Sequence, residues 1–189
     1  MEIEHLNTRR NVAALGIAGA ASFSLLWSGA ALLDGAWVFG EMTLSELGDP
    51  SRPADLVFNM GCVLAGVLLG LFAYGMHRLQ AGRWLRASST LLMLASVFLI
   101  GVGLFPIHVE LLHNFFAVAF FATVLAAISA SAAGDWGRGG RGRVMAAASA
   151  VMALLPLLLL AFASLPLAEA WAAILAMAWA VMRSVDLLV

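Results

Sequence analysis

Six apolar stretches, each long enough to cross a lipid bilayer, restrict this chain to one kind of fold. A spanning helix needs about 20 mostly apolar residues. The runs at 12–33, 54–76, 87–104, 109–132, 144–165 and 167–188 meet that length. Hydrocarbon offers no water to backbone N–H and C=O groups, so such segments must be helical. The expectation is an all-α polytopic membrane protein, a single bundle of six transmembrane helices over residues 1–189. Pro53 suits the first turn of the second helix. Pro106 closes the third, Pro166 closes the fifth, and Pro156 inside the fifth predicts a kink. Composition agrees: 63% of residues are hydrophobic and 11% charged, against roughly 25% charged in soluble domains. A soluble enzyme, a nucleic-acid-binding domain and a disordered linker are excluded.

The charges are sorted by side. Of the ten cations, all arginine, only Arg52 lies on the side of the connection between helices 1 and 2. Arg9, Arg10, Arg78, Arg83, Arg86, Arg138, Arg141, Arg143 and Arg183 lie on the other. The positive-inside rule makes that other side cytoplasmic, with both termini there. The outer side collects Asp34, Glu41, Glu46, Asp49, Asp55, Glu110 and Glu169. Arg9-Arg10 followed by about 22 apolar residues reads as a span; the run is too long for the core of a cleaved leader. The Gly-Arg stretch at 134–143 reads as a tight cytoplasmic loop and not as an RNA-binding tract.

Absences narrow the chemistry. Without lysine there is no Schiff-base or phosphate-loop lysine. The single cysteine, Cys62, lies in an apolar run and reads as a packed thiol. It forms no intramolecular disulfide and no cysteine zinc cluster. No motif names a cofactor. Gly66 and Gly70 form a GxxxG that lets helices approach closely. The tryptophans mostly fall near span ends, as an interfacial belt would have them.

Polar residues concentrate on the outer side. The longest connection, residues 34–53, mixes Trp37, Val38, Phe39, Met42, Leu44 and Leu47 with Glu41, Ser45, Glu46 and Asp49. A loop of this length covers a site or acts as a lid. Helices 2 and 4 open alike, with Asp55 then Asn59, and Glu110 then Asn114. Positions i and i+4 share a helix face, about 6 Å apart along the axis. First-turn acids, Glu169 included, also have a simpler use in complementing the helix dipole. The deeper carboxamides are expected to face the bundle interior, because a polar group facing lipid is costly. There they either bond helix to helix or line a polar pocket. His108 and His113 flank Glu110. Five residues apart they lie about 140° round a helix, so one ion would need His108 in the preceding turn and ligands from Asp55, Asp49 or Glu46. This is not a zincin spacing. His77 lies at the opposite end of the bundle, and His5 in the N-terminal tail is uninformative.

Three elements occur in order: Leu44-Ser45-Glu46-Leu47-Gly48; Leu56-Val57-Phe58-Asn59-Met60-Gly61; and Gly103-Leu104-Phe105-Pro106 followed by His113-Asn114-Phe115-Phe116-Ala117. In this the chain resembles the six-helix membrane family called domain of unknown function 998, and is distantly similar to the Frag/DRAM/Sfk membrane proteins, which are associated with lipid-anchor remodelling, phospholipid organisation and autophagy. Glu46 stands where the family often has aspartate. The resemblance puts weight on Ser45, Glu46, Asn59, His113 and Asn114. With Asp55, His108 and Glu110 these form the candidate ligand-binding set. The leading expectation is a protein of the cell membrane that binds or handles membrane lipid through a polar pocket near the outer face. The alternatives are a membrane-embedded hydrolase or transferase with His113 as base or metal ligand, and a structural or partner-binding subunit. Transport is weaker, since no unpaired charge is seen at mid-membrane.

Overall fold

The computed structural model describes residues 2–189, with side chains from residue 6 onward; His5 lies outside the described side chains. Six helices form: α1 Glu2–Asp34, α2 Asp55–Leu79, α3 Arg83–Leu104, α4 Glu110–Trp136, α5 Gly140–Phe162 and α6 Leu165–Leu188. Each is long and apolar enough to span a membrane. A short 3₁₀ turn, Leu44–Gly48, interrupts the connection between α1 and α2. No strand occurs among the described residues; Phe39 and Met42 make only an isolated bridge.

Each helix packs on its neighbours in sequence, and α6 returns to α1, which closes a ring. Helix α6 also reaches across to α4. The helices are apolar over most of their surface, and their buried faces mix large and small side chains with serines such as Ser88, Ser96, Ser149 and Ser184. On α2 the outward stripe is Leu56, Met60, Leu64, Val67, Leu71 and Tyr74, while Phe58, Cys62, Ala65, Leu69, Phe72 and Met76 are buried. Both sets recur near 3.6 residues, as one helix with a lipid face and a protein face requires. A Cβ on Gly66 would lie 2.6 Å from Ile100 and 2.9 Å from the Ser96 carbonyl. The GxxxG therefore serves close α2–α3 packing.

Several boundaries differ from those read in the sequence. Helices α1, α3 and α5 start earlier, and α4 ends later, than the apolar windows. Helical hydrogen bonding does not stop where hydrocarbon stops, and polar residues carry each helix past the membrane core. The expected ten-residue loop at 134–143 is thereby reduced to Gly137, Arg138 and Gly139. Pro166 does not terminate α5, which ends at Phe162; it lies in the first turn of α6, with the Ser164 hydroxyl accepting from Leu167 N–H at 3.3 Å. Proline is tolerated there because its missing N–H would lack a helical partner anyway. Glu169 consequently lies beyond the first turn of α6. Pro156 lies within α5 without ending it. Trp179 is fully buried and so departs from the belt pattern.

Candidate functional site

The ends of the bundle differ, and the sequence-predicted residues lie at the end capped by the 35–54 connection. That connection is folded onto the bundle. Leu44, Ser45, Leu47 and Gly48 are buried. Glu46 closes a capping box, its Oε1 accepting from the N–H (2.9 Å) and hydroxyl (3.0 Å) of Thr43. Trp37 Nε1 donates to the Thr43 carbonyl at 2.8 Å and its ring meets Trp27 edge-on. Arg52 pairs with Asp34 at 2.9 Å and approaches Glu46 at 3.9 Å. Asp49 accepts from the hydroxyl (2.6 Å) and N–H (2.8 Å) of Ser51, which holds its carboxyl below the usual carboxylate range. Two side chains of the bundle bolt the turn down. Asn59 Nδ2 donates to the Gly48 carbonyl at 2.9 Å. The Glu169 carboxylate accepts from Leu44 N–H and from the Ser45 hydroxyl, both at 3.2 Å.

The acid–Asn repeat does not survive as a structural repeat. Asn59 is buried and Asp55 half-buried, but Glu110 and Asn114 are both exposed. The expectation that both carboxamides face the interior holds for Asn59 and fails for Asn114. The reason is angular: His113 and Asn114 are adjacent, hence about 100° apart round the helix, and His113 takes the inward position. His108 occupies the turn before α4 and is exposed. Among the described residues no group of three or more His, Cys, Asp or Glu is placed to hold a metal ion.

What converges instead is Ser45, His113 and Glu169. They line a cavity of about 30 Å³ walled by Phe23, Phe58, Phe120 and Phe121. A drug-sized ligand needs roughly 300 Å³ or more, so this space takes water and not a lipid headgroup. Glu169, read from sequence as a dipole-complementing acid, is the anchor of the outer loop.

At the opposite end lies a cavity of about 500 Å³, within the ligand range. Arg9 of α1, Arg83 of α3, Arg138 of the α4–α5 turn and Arg183 of α6 line it, against one acid, Asp186. Beneath it Asp135, fully buried, accepts from Arg183 at 2.7 Å and from Arg138 at 2.9 Å. Asp186 joins Arg138 at 3.0 Å and Arg183 at 3.6 Å. Gln80, in the amide orientation that satisfies its neighbours, accepts from Arg183 Nη2 at 2.9 Å. The two aspartates push the Arg138 guanidinium above its ordinary pKa. Helix α3 begins at the cavity: its first internal bond there is Arg86 N–H to Gly82 O at 3.1 Å, and no side chain caps it. The N–H groups of Arg83, Trp84 and Leu85 precede that bond, at the positive end of the helix dipole. The sequence carried a signal for this network. Arg183 and Asp186 stand three residues apart in an apolar run, where a charge demands a partner.

A family model described as Protein of unknown function (DUF998) matches residues 17–186. The chain belongs to this family. Comparison with curated proteins and with solved structures gave no match, and the distant likeness to the Frag/DRAM/Sfk proteins gains no support from it. This DUF998 protein thus carries its Ser45–Glu46, Asn59 and His113 elements at the sealed end of the bundle, while its ligand-sized cavity lies at the other.

Proposed function

We propose that this DUF998 protein handles lipid by binding an anionic, phosphate-bearing headgroup in the arginine-lined cavity. The single observation that carries the reading is a space of about 500 Å³ lined by four arginines, of which Arg138 and Arg183 are paired with Asp135 and Asp186 while Arg9 and Arg83 make no ion pair among the described residues. The α3 amides add further donors aimed at an anion. Leu79, Trp84, Leu85 and Leu187 give the same wall an apolar part, which suits a lipid better than a free ion. The arginine-rich end is read as cytoplasmic by the positive-inside rule, so the lipid comes from the inner leaflet of the cell membrane. This reading differs from the outer-face pocket expected from the sequence.

The test is native mass spectrometry of the full chain from micelles doped with phosphatidylglycerol or with phosphatidylcholine. Retention of phosphatidylglycerol over phosphatidylcholine is expected. A basic side chain near an anionic surface is worth about 1 kcal/mol, so replacing both Arg9→Gln and Arg83→Gln lowers that retention about tenfold or more. Inorganic phosphate in excess distinguishes the sources: displacement of the lipid by phosphate alone shows a site for the free ion. Equal retention of both lipids, unaffected by the substitutions, contradicts the proposal.

A further inference from the structure

The sealed end poses a separate question: what satisfies the polar atoms facing its small cavity. His113 is 3% exposed, and its Nδ1 lies 2.8 Å from the Phe105 carbonyl. A carbonyl only accepts, so Nδ1 carries the hydrogen and Nε2 of the neutral ring is an acceptor. That Nε2 is buried with no protein group at hydrogen-bond distance. Glu169 across the same cavity uses one lone pair of each carboxylate oxygen on Leu44 N–H and the Ser45 hydroxyl. A carboxylate has about four acceptor positions, so it too has capacity left. Two acceptors cannot bond each other; they need a donor between them.

The space fits that donor. One water needs roughly 10–15 Å³ of such volume and two to four polar partners, and the cavity has about 30 Å³. We infer that His113 and Glu169 jointly hold one water molecule and share one exchangeable proton through it, forming a proton site in the loop-capped half of the bundle. With both groups unprotonated, the water donates one hydrogen to His113 Nε2 and the other to Glu169. An added proton turns either Nε2 or the carboxylate into a donor toward the water oxygen. The surroundings leave the pair to titrate together. Of the other lining groups only the Cys62 thiol of α2 is titratable, while α1 contributes Phe23 and α3 contributes Leu99 and Val102. Glu46 of the loop is a like charge facing Glu169, and is engaged with Thr43. Arg52 is engaged with Asp34. Because Glu169 also holds the 3₁₀ turn, a proton on its carboxylate weakens the bonds that seat Leu44 and Ser45. Occupancy of the site is thereby read out as loop seating.

The experiment is nitrogen NMR of the full chain in nanodiscs with ¹⁵N-histidine, titrated with pH. His113 is one of four histidines, and His113→Gln assigns its signals. The expected result is an Nδ1–H tautomer for His113 whose titration midpoint falls by about one pH unit in Glu169→Gln, because the imidazolium loses the carboxylate facing it. If Glu169→Gln does not fold, Ser45→Ala decides: losing a donor raises the proton affinity of the carboxylate, so Glu169 takes the shared proton first and the His113 midpoint falls. An Nε2–H tautomer, or a midpoint that stays put in the deciding variant, overturns the proposal.

Discussion

Asp135 and Glu169 are both carboxylates drawn into the bundle, at opposite ends, and their company differs. Asp135 is held by two arginines at 2.7 and 2.9 Å. Glu169 has two neutral donors at 3.2 Å, and no cation within ion-pair distance among the described residues. The first arrangement fixes charge. It leaves Arg9 and Arg83 lining a wide space beside it, as a ligand site for an anion requires. The second leaves a carboxylate whose protonation changes its bonding, beside a space for water. Burial of an acid therefore says little by itself; the partners decide whether it is a structural post or a titrating group.

The largest expected effect tests the charge-fixed end. Asp135→Ala leaves Arg183, 2% exposed, without its shortest partner. Removing one member of a buried pair costs roughly 3–5 kcal/mol, so thermal unfolding in detergent shows a loss of about 3 kcal/mol. A loss below about 1 kcal/mol would erase the distinction between the ends. Next comes Asn59→Ala, which removes the bolt on the Gly48 carbonyl. A single neutral hydrogen bond is worth about 1 kcal/mol. The loss is local, seen as faster amide exchange at residues 44–48 with α5 unchanged. The smallest effect belongs to Asp49. Its carboxyl is held below the ordinary 3.8 by Ser51, so any stabilisation it gives is complete above that value. The contribution disappears only as pH falls through the lower folded value. Asp49→Ala therefore shows no pH-dependent difference from the parent in unfolding scans between about pH 5 and 8. A difference that changes across that range would assign Asp49 a larger part in the loop.

The membrane class and the six spans were legible because hydrocarbon imposes one solution on long apolar runs. Boundaries were less so, since Glu2, Arg83, Trp136 and Gly140 extend helices into water where hydropathy is silent. At the site, the weight on Ser45, Glu46, Asn59 and His113 led to the plugged end, but a one-dimensional pattern could not tell a latch from a ligand contact. The i, i+4 spacing from Glu110 says nothing of the angle between Asn114 and its neighbour His113, and it is His113 that takes the inward position. The importance of Glu169 is not legible in the sequence, because Pro166 reads there as the end of α5 and puts the acid in a first turn, whereas α6 already begins at Leu165. The arginine cavity was hidden by a generic explanation. Arginines flanking spans satisfy the topology rule, and only three dimensions show that α1, α3, α6 and the α4–α5 turn bring four of them round one space.

The most direct measurement is a high-resolution electron cryo-microscopy structure of the full chain in nanodiscs containing phosphatidylglycerol. The account predicts headgroup density inside the cavity, with phosphate oxygens at hydrogen-bond distance from Arg9 or Arg83 and the amides at the start of α3. Headgroups confined to the annulus around the bundle, with the cavity closed or filled by acyl chain, would contradict it.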